Sequence, residues 1–250
     1  MGFVVTEPPT RIRAVLFDLG GTLVDERDFG GWAELARGVY LDLAPEAIGH
    51  AFSEVEAQLD AGPFDLDHER GVVEYWRRLL SLAAETDVPE ATARRFVEAR
   101  RASERERPLP LFSDVRRCLD QLVAERRRLA IVSNSTSEAL VRRILDRAGI
   151  LGYFERVLSS GTEGVRKPDP EIFHRAVSRL GLRPPEALYV GNLPRTDALG
   201  ARGAGLHSVW LHRDGTGFGD DPPEITSLLE VPLVVRSLEG TPDGPGAPRP

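Results

Sequence analysis

The chain has 250 residues, 41% hydrophobic and 28% charged, with a formal net charge of −7. Those figures predict one large domain or two small ones around a real core, and they exclude a disordered chain. The acidic balance argues against a general nucleic-acid binder, and no apolar run approaches the ~18 residues that a membrane helix needs. Residues 1–10 have no basic stretch leading into an apolar one and carry two prolines, so no signal peptide is expected. The single cysteine, Cys118, excludes an internal disulfide and fits a reducing, cytoplasmic setting.

Along the chain, Arg13 to Phe17 is a short apolar run that stops at Asp18-Leu19-Gly20-Gly21-Thr22. That pattern predicts a buried strand with an acid at its carboxyl end. A long helical stretch follows. Trp32, Leu35, Ala36, Val39, Tyr40 and Leu43 form one apolar stripe. Ile48, Phe52, Val55 and Leu59 form a second, and Val72, Val73, Trp76, Leu79, Leu80 and Ala83 a third. A fourth, Arg-rich helix starts near Pro89 and carries Phe96 and Val97. Trp32, Tyr40, Phe52, Phe64, Tyr75 and Trp76 are expected to be mostly core of this bundle. Pro108 and Pro110 mark its exit.

Beyond them helices and strands alternate. A helix from about Asp114 presents Val115, Cys118, Leu119, Leu122 and Val123 on one face, which makes Cys118 a core thiol. The strand Leu129 to Val132 leads into Ser133-Asn134-Ser135-Thr136, which is expected to open the next helix as its N-cap. Phe154 to Leu158, Ala187 to Val190 and His207 to Leu211 are further strands. Gly215, Gly217 and Gly219 lack the strand–helix context of a dinucleotide fingerprint. The Gly- and Pro-rich segment 240–250 is expected to be disordered. Alternation of this kind predicts an α/β fold: a doubly wound, Rossmann-like parallel sheet as core, over residues 1–24 and 109–239, with an inserted α-helical domain over 25–108.

Such sheets bind ligands at the carboxyl ends of their strands. Those ends hold Asp18, then Ser133 with Asn134, then Lys167, then Asn192 and Asp197. Of 32 lysines and arginines, Lys167 is the single lysine. The set suits phosphate chemistry. A carboxylate can attack phosphorus, Mg²⁺ needs a few oxygen ligands, and lysine and hydroxyl donors neutralise phosphoryl oxygens. The arginines from Arg94 to Arg107 alternate with Glu98, Glu104 and Glu106, which reads as a solvated helix face.

Four stretches carry a resemblance: AVLFDLGGTLVDE (14–26), AIVSNST (130–136), GVRKPDPEIF (164–173) and YVGNLPRTDALGARGAGL (189–206). In order and spacing they resemble the haloacid dehalogenase-like hydrolases of the phosphatase type, with the helical insert in the position of that family's C1 cap. The resemblance implies Asp18 as nucleophile and Mg²⁺ ligand, and the carbonyl of Gly20 as a second ligand. It implies Ser133 and Asn134 as phosphoryl-binding, Lys167 as the partner of Asp18 and phosphate, and Asn192 and Asp197 as the metal motif. The partner implied is a small phosphorylated metabolite, with no nucleic acid or membrane, and a homodimer stays open as the assembly.

Two positions depart from the family pattern. Gly20 stands where phosphatases usually carry a second Asp as general acid/base, a loss that commonly costs ~10²–10⁴ in rate. Asp25 is the nearest substitute. Asn192 stands where an Asp is usual. These departures keep two other readings open: a catalytically degenerate binding protein, and a metal-independent carbon–halogen hydrolase in which Asp18 attacks carbon. With one negative charge fewer, Mg²⁺ affinity is expected to be weak. Titrating activity with Mg²⁺ is expected to give half-saturation well above the low micromolar range, and a low-micromolar value would contradict the argument.

Overall fold

The computed structural model describes residues 11–25, 27, 29–59, 69–106, 110–135, 137–213 and 223–240. Phe64, Thr136, Gly215, Gly217, Gly219 and the segment 241–250 lie outside them.

Six strands form one parallel sheet: β1 (Ala14–Phe17), β2 (Arg128–Ser133), β3 (Arg156–Ser159), β4 (Ala187–Gly191), β5 (His207–Leu211) and β6 (Glu224–Ile225). Their spatial order is β3-β2-β1-β4-β5-β6. The chain runs outward from β1 to β3, then returns to β4 on the other side of β1. The order therefore reverses between β1 and β4, and a crevice opens there at the carboxyl ends of the strands. Phe17 pairs with Ile131 on one side and Val190 on the other, so the residue after it leaves the sheet at its centre.

The sheet is buried on both faces, and alternation along each strand divides the core. Val15, Phe17, Leu129, Ile131, Leu188 and Val190 share one cluster. On that face lie α5 (Val115–Ala124), α6 (Glu138–Arg147) and α10 (Val231–Leu238). Ala14, Leu16, Ala130, Val132 and Tyr189 face the other way, toward α8 (Pro170–Arg179) and α9 (Gly200–Gly203). The short helix α7 (Ser160–Glu163) follows β3 directly. Strands with apolar residues at every position are what two covered faces require. Cys118 is buried in the first cluster, where burial pushes its thiol up to about 12; it is an inert core group, whereas Val123, expected on the same face, is exposed.

The inserted segment forms α1 (Phe29–Gly38), α2 (Pro45–Leu59), α3 (Glu69–Ala84) and α4 (Glu90–Glu106). It has its own core. Trp76 stands at its centre, edge-on to Trp32 with centroids 4.9 Å apart and tilted against Phe96 at 5.1 Å. The guanidinium of Arg100 lies 4.7 Å above the Trp76 ring, so one arginine of the Arg-rich face is spent inward. The first stripe is shorter than its periodicity suggested. α1 ends at Gly38, and Tyr40 takes a left-handed turn at φ 68° with 87% of its surface exposed. Leu41 N closes this turn on Ala36 O. Tyr40 is therefore not core, while Leu43 is buried from outside the helix.

The two connections to the bundle run side by side. Val24 bridges antiparallel to Leu111, Asp25 N donates to Pro110 O at 2.8 Å, and Phe112 N donates to Leu23 O at 3.2 Å. Among the described residues no helix is long and apolar enough to cross a membrane.

Phe96 is fully buried against Trp76, so Phe96→Ala is expected to cost the protein ~3–5 kcal/mol. Urea unfolding followed by tryptophan fluorescence checks this; a loss below ~1 kcal/mol would deny Phe96 its place in the bundle core.

Candidate active site

Asp18 is the first residue beyond β1, and its amide donates to Val190 O at 2.9 Å across the reversal point. Lys167 reaches the same place from the loop between α7 and α8. That loop is set at both ends. Pro170 opens α8, whose N-cap Asp169 accepts from Glu171 N. Upstream, Asn134 binds the Lys167 backbone twice: its Oδ1 accepts from Lys167 N at 2.9 Å, and its Nδ2 donates to Lys167 O at 3.0 Å.

The Lys167 ammonium is 3% exposed and its three protons have three partners. Nζ lies 2.7 Å from Asp18 Oδ1, 2.6 Å from Asp197 Oδ1 and 2.9 Å from the Tyr189 hydroxyl. Tyr189 in turn lies 3.0 Å from Val132 O and 3.2 Å from Asp197 Oδ1. Asp197 is fully buried. It hangs from a π-helical segment, Pro194–Leu199, and its Oδ2 accepts from Leu193 N at 3.0 Å. The space for it exists because residue 191 is glycine: a Cβ there would sit 2.4 Å from the carboxylate.

A second set of contacts lies on the other side of Asp18. Thr22, fully buried, has its hydroxyl 3.4 Å from Asp18 Oδ2 and 3.3 Å from Asn192 Oδ1. Trp210 Nε1 donates to the Asn192 carbonyl at 2.9 Å. Gly21, at φ +72°, makes the turn that brings these together, and a Cβ on it would lie 2.4 Å from Asn192 Nδ2.

Two carboxylates and one ammonium leave the buried cluster one negative charge in excess. Burial, reinforced by the Asp197 charge and opposed by Lys167, pushes Asp18 up to about 6. Burial alone would lower Lys167, but Asp18 and Asp197 outweigh it and hold the ammonium above its ordinary value. Tyr189 is raised well above its ordinary value by burial and by both carboxylates, so its hydroxyl stays protonated. A carboxylate held beside a fixed cation at a strand end can act as a nucleophile toward phosphorus.

Ser133 ends β2, is buried, and its hydroxyl has no hydrogen-bond partner among the described residues. That leaves a donor free for a ligand. The oxygens of Asp18 Oδ2, the Gly20 carbonyl and Asn192 Oδ1 are hard donors, and the contacts Asp18 Oδ2 and Asn192 Oδ1 receive from Thr22 are long. Among the described residues no group of three or more His, Cys, Asp or Glu gathers. The donor chemistry fits Mg²⁺, which takes one or two carboxylates and fills its shell with water and phosphate.

The structure thus brings together Asp18, Lys167, Asp197, Asn192 and Thr22, with Ser133 on the neighbouring strand. It differs from the expectations at four points. Ser133 does not cap a helix; Ser137 caps α6, accepting from Leu140 N. Asn134 spends its side chain on the Lys167 backbone, not on a free direction. Both oxygens of Asp197 are engaged by protein donors, so it supports Lys167 directly. Asp25 is taken up by Arg27, whose Nε lies 2.8 Å from Oδ1 and Nη2 3.3 Å from Oδ2. Sequence reasoning missed Thr22 and Tyr189. Tyr189 was detectable: a tyrosine inside a central, fully buried strand needs a partner for its hydroxyl.

The family model for haloacid dehalogenase-like hydrolases matches residues 12–205. A phosphoserine phosphatase of Thermus thermophilus is 35% identical over 239 residues, covering 88% of each chain. A glyceraldehyde 3-phosphate phosphatase of Pyrococcus abyssi is 30% identical, covering 80% of this chain and 81% of its own. The HAD-hydrolase YfnB of Bacillus subtilis, solved bound to magnesium, shares the fold at TM-score 0.68 and 19% identity, over 91% of this chain and all of its own. The chain belongs to the haloacid dehalogenase-like hydrolases.

The raised Asp18 carries a stability consequence. Its folded value of about 6 exceeds the ordinary 3.8 of a free carboxyl, so the stability it contributes is present below pH 3.8 and lost as pH rises through 6. In chelator-treated protein, Asp18→Asn is expected to raise the melting temperature at pH 8, by roughly 2–4 °C for each kcal/mol recovered in a chain of this length, with the gain shrinking toward pH 5. Thermal denaturation at both pH values tests this; a melting temperature lowered at pH 8 would contradict it.

Proposed function

We propose that this haloacid dehalogenase-like hydrolase is a Mg²⁺-dependent phosphatase that cleaves a phosphate monoester of a small metabolite through an aspartyl-phosphate at Asp18. The observation that carries the reading is the 2.7 Å contact of Lys167 Nζ with Asp18 at the carboxyl end of the sheet. The unpartnered Ser133 hydroxyl beside it supports the same reading. So do the relatives, whose names specify small phosphorylated metabolites.

In the first half-reaction an Asp18 oxygen bonds to phosphorus, the ester P–O bond breaks, and the leaving oxygen takes a proton. In the second, water attacks phosphorus, inorganic phosphate leaves and the Asp18 carboxylate is restored. Lys167 orients the nucleophile and gives up one of its contacts to a phosphoryl oxygen; Ser133 donates to another. Asp197 and Tyr189 keep the ammonium aimed while this happens. Asp18, the Gly20 carbonyl and Asn192 would hold the cation, which when bound neutralises phosphoryl oxygens. The helical bundle acts as a cap that excludes water during the first step. With glycine at position 20, the leaving group's proton comes from Asp25, once freed from Arg27, or the substrate has a leaving group that needs none. The reading places the enzyme in the cytoplasm, with a phosphorylated metabolite as its partner and no nucleic acid or membrane.

Hydrolysis of p-nitrophenyl phosphate and acetyl phosphate, with and without Mg²⁺, tests the proposal. Both substrates are expected to turn over only with metal, and Asp18→Asn to lower the rate by at least ~10³-fold. Alkyl phosphates with poorer leaving groups are expected to react more slowly. Failure of the wild-type protein on both activated substrates would sink the proposal, and metal-free release of halide from a haloacid would replace it with the carbon–halogen reading.

A further inference from the structure

Beneath the turn that carries Thr22 lies a second buried ion pair. Arg213, two residues beyond β5, faces Asp114, the residue that precedes α5. The pair is bidentate: Nη1 lies 3.0 Å from Oδ2 and Nη2 3.1 Å from Oδ1. Their side chains are only 15% and 10% exposed. Asp114 makes no side-chain cap for its helix. Its Oδ2 instead accepts from Ser227 Oγ and Leu228 N, each at 2.9 Å. Burial pushes the Asp114 carboxyl up, but these bonds outweigh it and hold the group below its ordinary value.

Arg213 does more than answer Asp114. Its Nη2 also donates to the carbonyl of Thr22 at 2.8 Å. No other described residue bonds that buried carbonyl. The guanidinium plane lies 3.7 Å from the ring centroid of Phe112, whose amide donates to Leu23 O. One planar cation thus reaches the start of α5, the catalytic turn and the strand re-entering from the bundle. A point charge could pair with Asp114, but only a fork can serve two carboxylate oxygens and a carbonyl while stacking on a ring.

We propose that Arg213 is a positioning residue of the active site, which grips the Thr22 carbonyl so that the Thr22 hydroxyl stays aimed at Asp18 and Asn192. The aim matters because Thr22 is the only described side chain that touches both of those groups. Its catalytic consequence rests on the phosphatase reading; the positioning itself does not.

The experiment therefore has two arms. In the first, Arg213→Lys is assayed with p-nitrophenyl phosphate and Mg²⁺. A kcat lowered about tenfold or more with KM within about twofold is expected, because displaced reacting groups cost rate more than binding. Thr22→Val is expected to lower kcat as well. The double variant is expected to be no slower than the worse single one, since both changes break the same line of contacts. Ser227→Ala is the control. It loosens Asp114 without touching the Thr22 carbonyl, and is expected to lower the melting temperature with kcat held within about twofold. Multiplying effects of Arg213→Lys and Thr22→Val, or a kcat loss in Ser227→Ala equal to that of Arg213→Lys, would overturn the proposal.

The second arm needs no substrate. Amide hydrogen exchange of Gly21, Leu23 and Val24 in the metal-free protein is expected to quicken about tenfold in Arg213→Lys, with exchange in β3 unchanged. Asp114→Asn, which loosens the same fork more gently, carries the same test if the lysine variant does not fold. Unchanged exchange at the turn would overturn the proposal whatever the enzyme hydrolyses. Quickened exchange in a protein with no phosphatase turnover would retain the positioning role and reject the phosphatase reading.

Discussion

The site depends on where one ammonium group sends its three protons. Lys167 is buried, and a buried cation without partners is costly enough to deprotonate instead. Here Asp18, Asp197 and Tyr189 each accept one hydrogen bond from it. Removing any of the three leaves an orphaned donor in a low-dielectric pocket, so the geometry tolerates little drift. Three different strand ends must therefore stay in register. β1 supplies Asp18, β4 supplies Tyr189 and the turn toward Asp197, and the β3–α8 connection supplies Lys167.

That constraint explains features that would otherwise seem unrelated. Gly191 gives Asp197 room beside the strand. Asn134 holds the lysine loop by its backbone, which leaves the side chain free to reach inward. Tyr189 pairs with Leu16 in the sheet, and its hydroxyl links the ammonium to the Val132 carbonyl. Burial first, and then the neighbouring Asp197 charge, raise the titration of Asp18 against the opposing pull of Lys167. Strain of this kind is typical of a site kept for chemistry and not for stability.

The sheet and the bundle meet through two adjacent strands of chain, and the catalytic turn lies between them. Gly20 and Val24 form one bridge, Val24 and Leu111 another. The turn that carries Thr22 is thereby tied to both connections. The Arg213–Asp114 pair sits on the sheet side of this junction and ties the turn to the core.

The fold class and most of the strand-end residues were legible in the amino-acid pattern alone. Apolar runs such as Ala14 to Phe17, broken at an acid and two glycines, have no stable home except a covered parallel strand, and the acid then falls at its carboxyl end. Lys167 stood out for a different reason, as the single lysine among 32 basic residues. Periodicity marked the four helices of the bundle, though not the early end of the first, where Gly38 and a left-handed Tyr40 override the stripe. The pairings emerge on packing. That Asn134 clamps a backbone 33 residues away, that Asp197 answers Lys167, that Asp25 turns to Arg27, and that Tyr189, Thr22 and Arg213 belong to the site at all, depend on side chains converging from distant segments. Local propensity carries no information about such contacts, because their energy exists only once the strands that present them have packed.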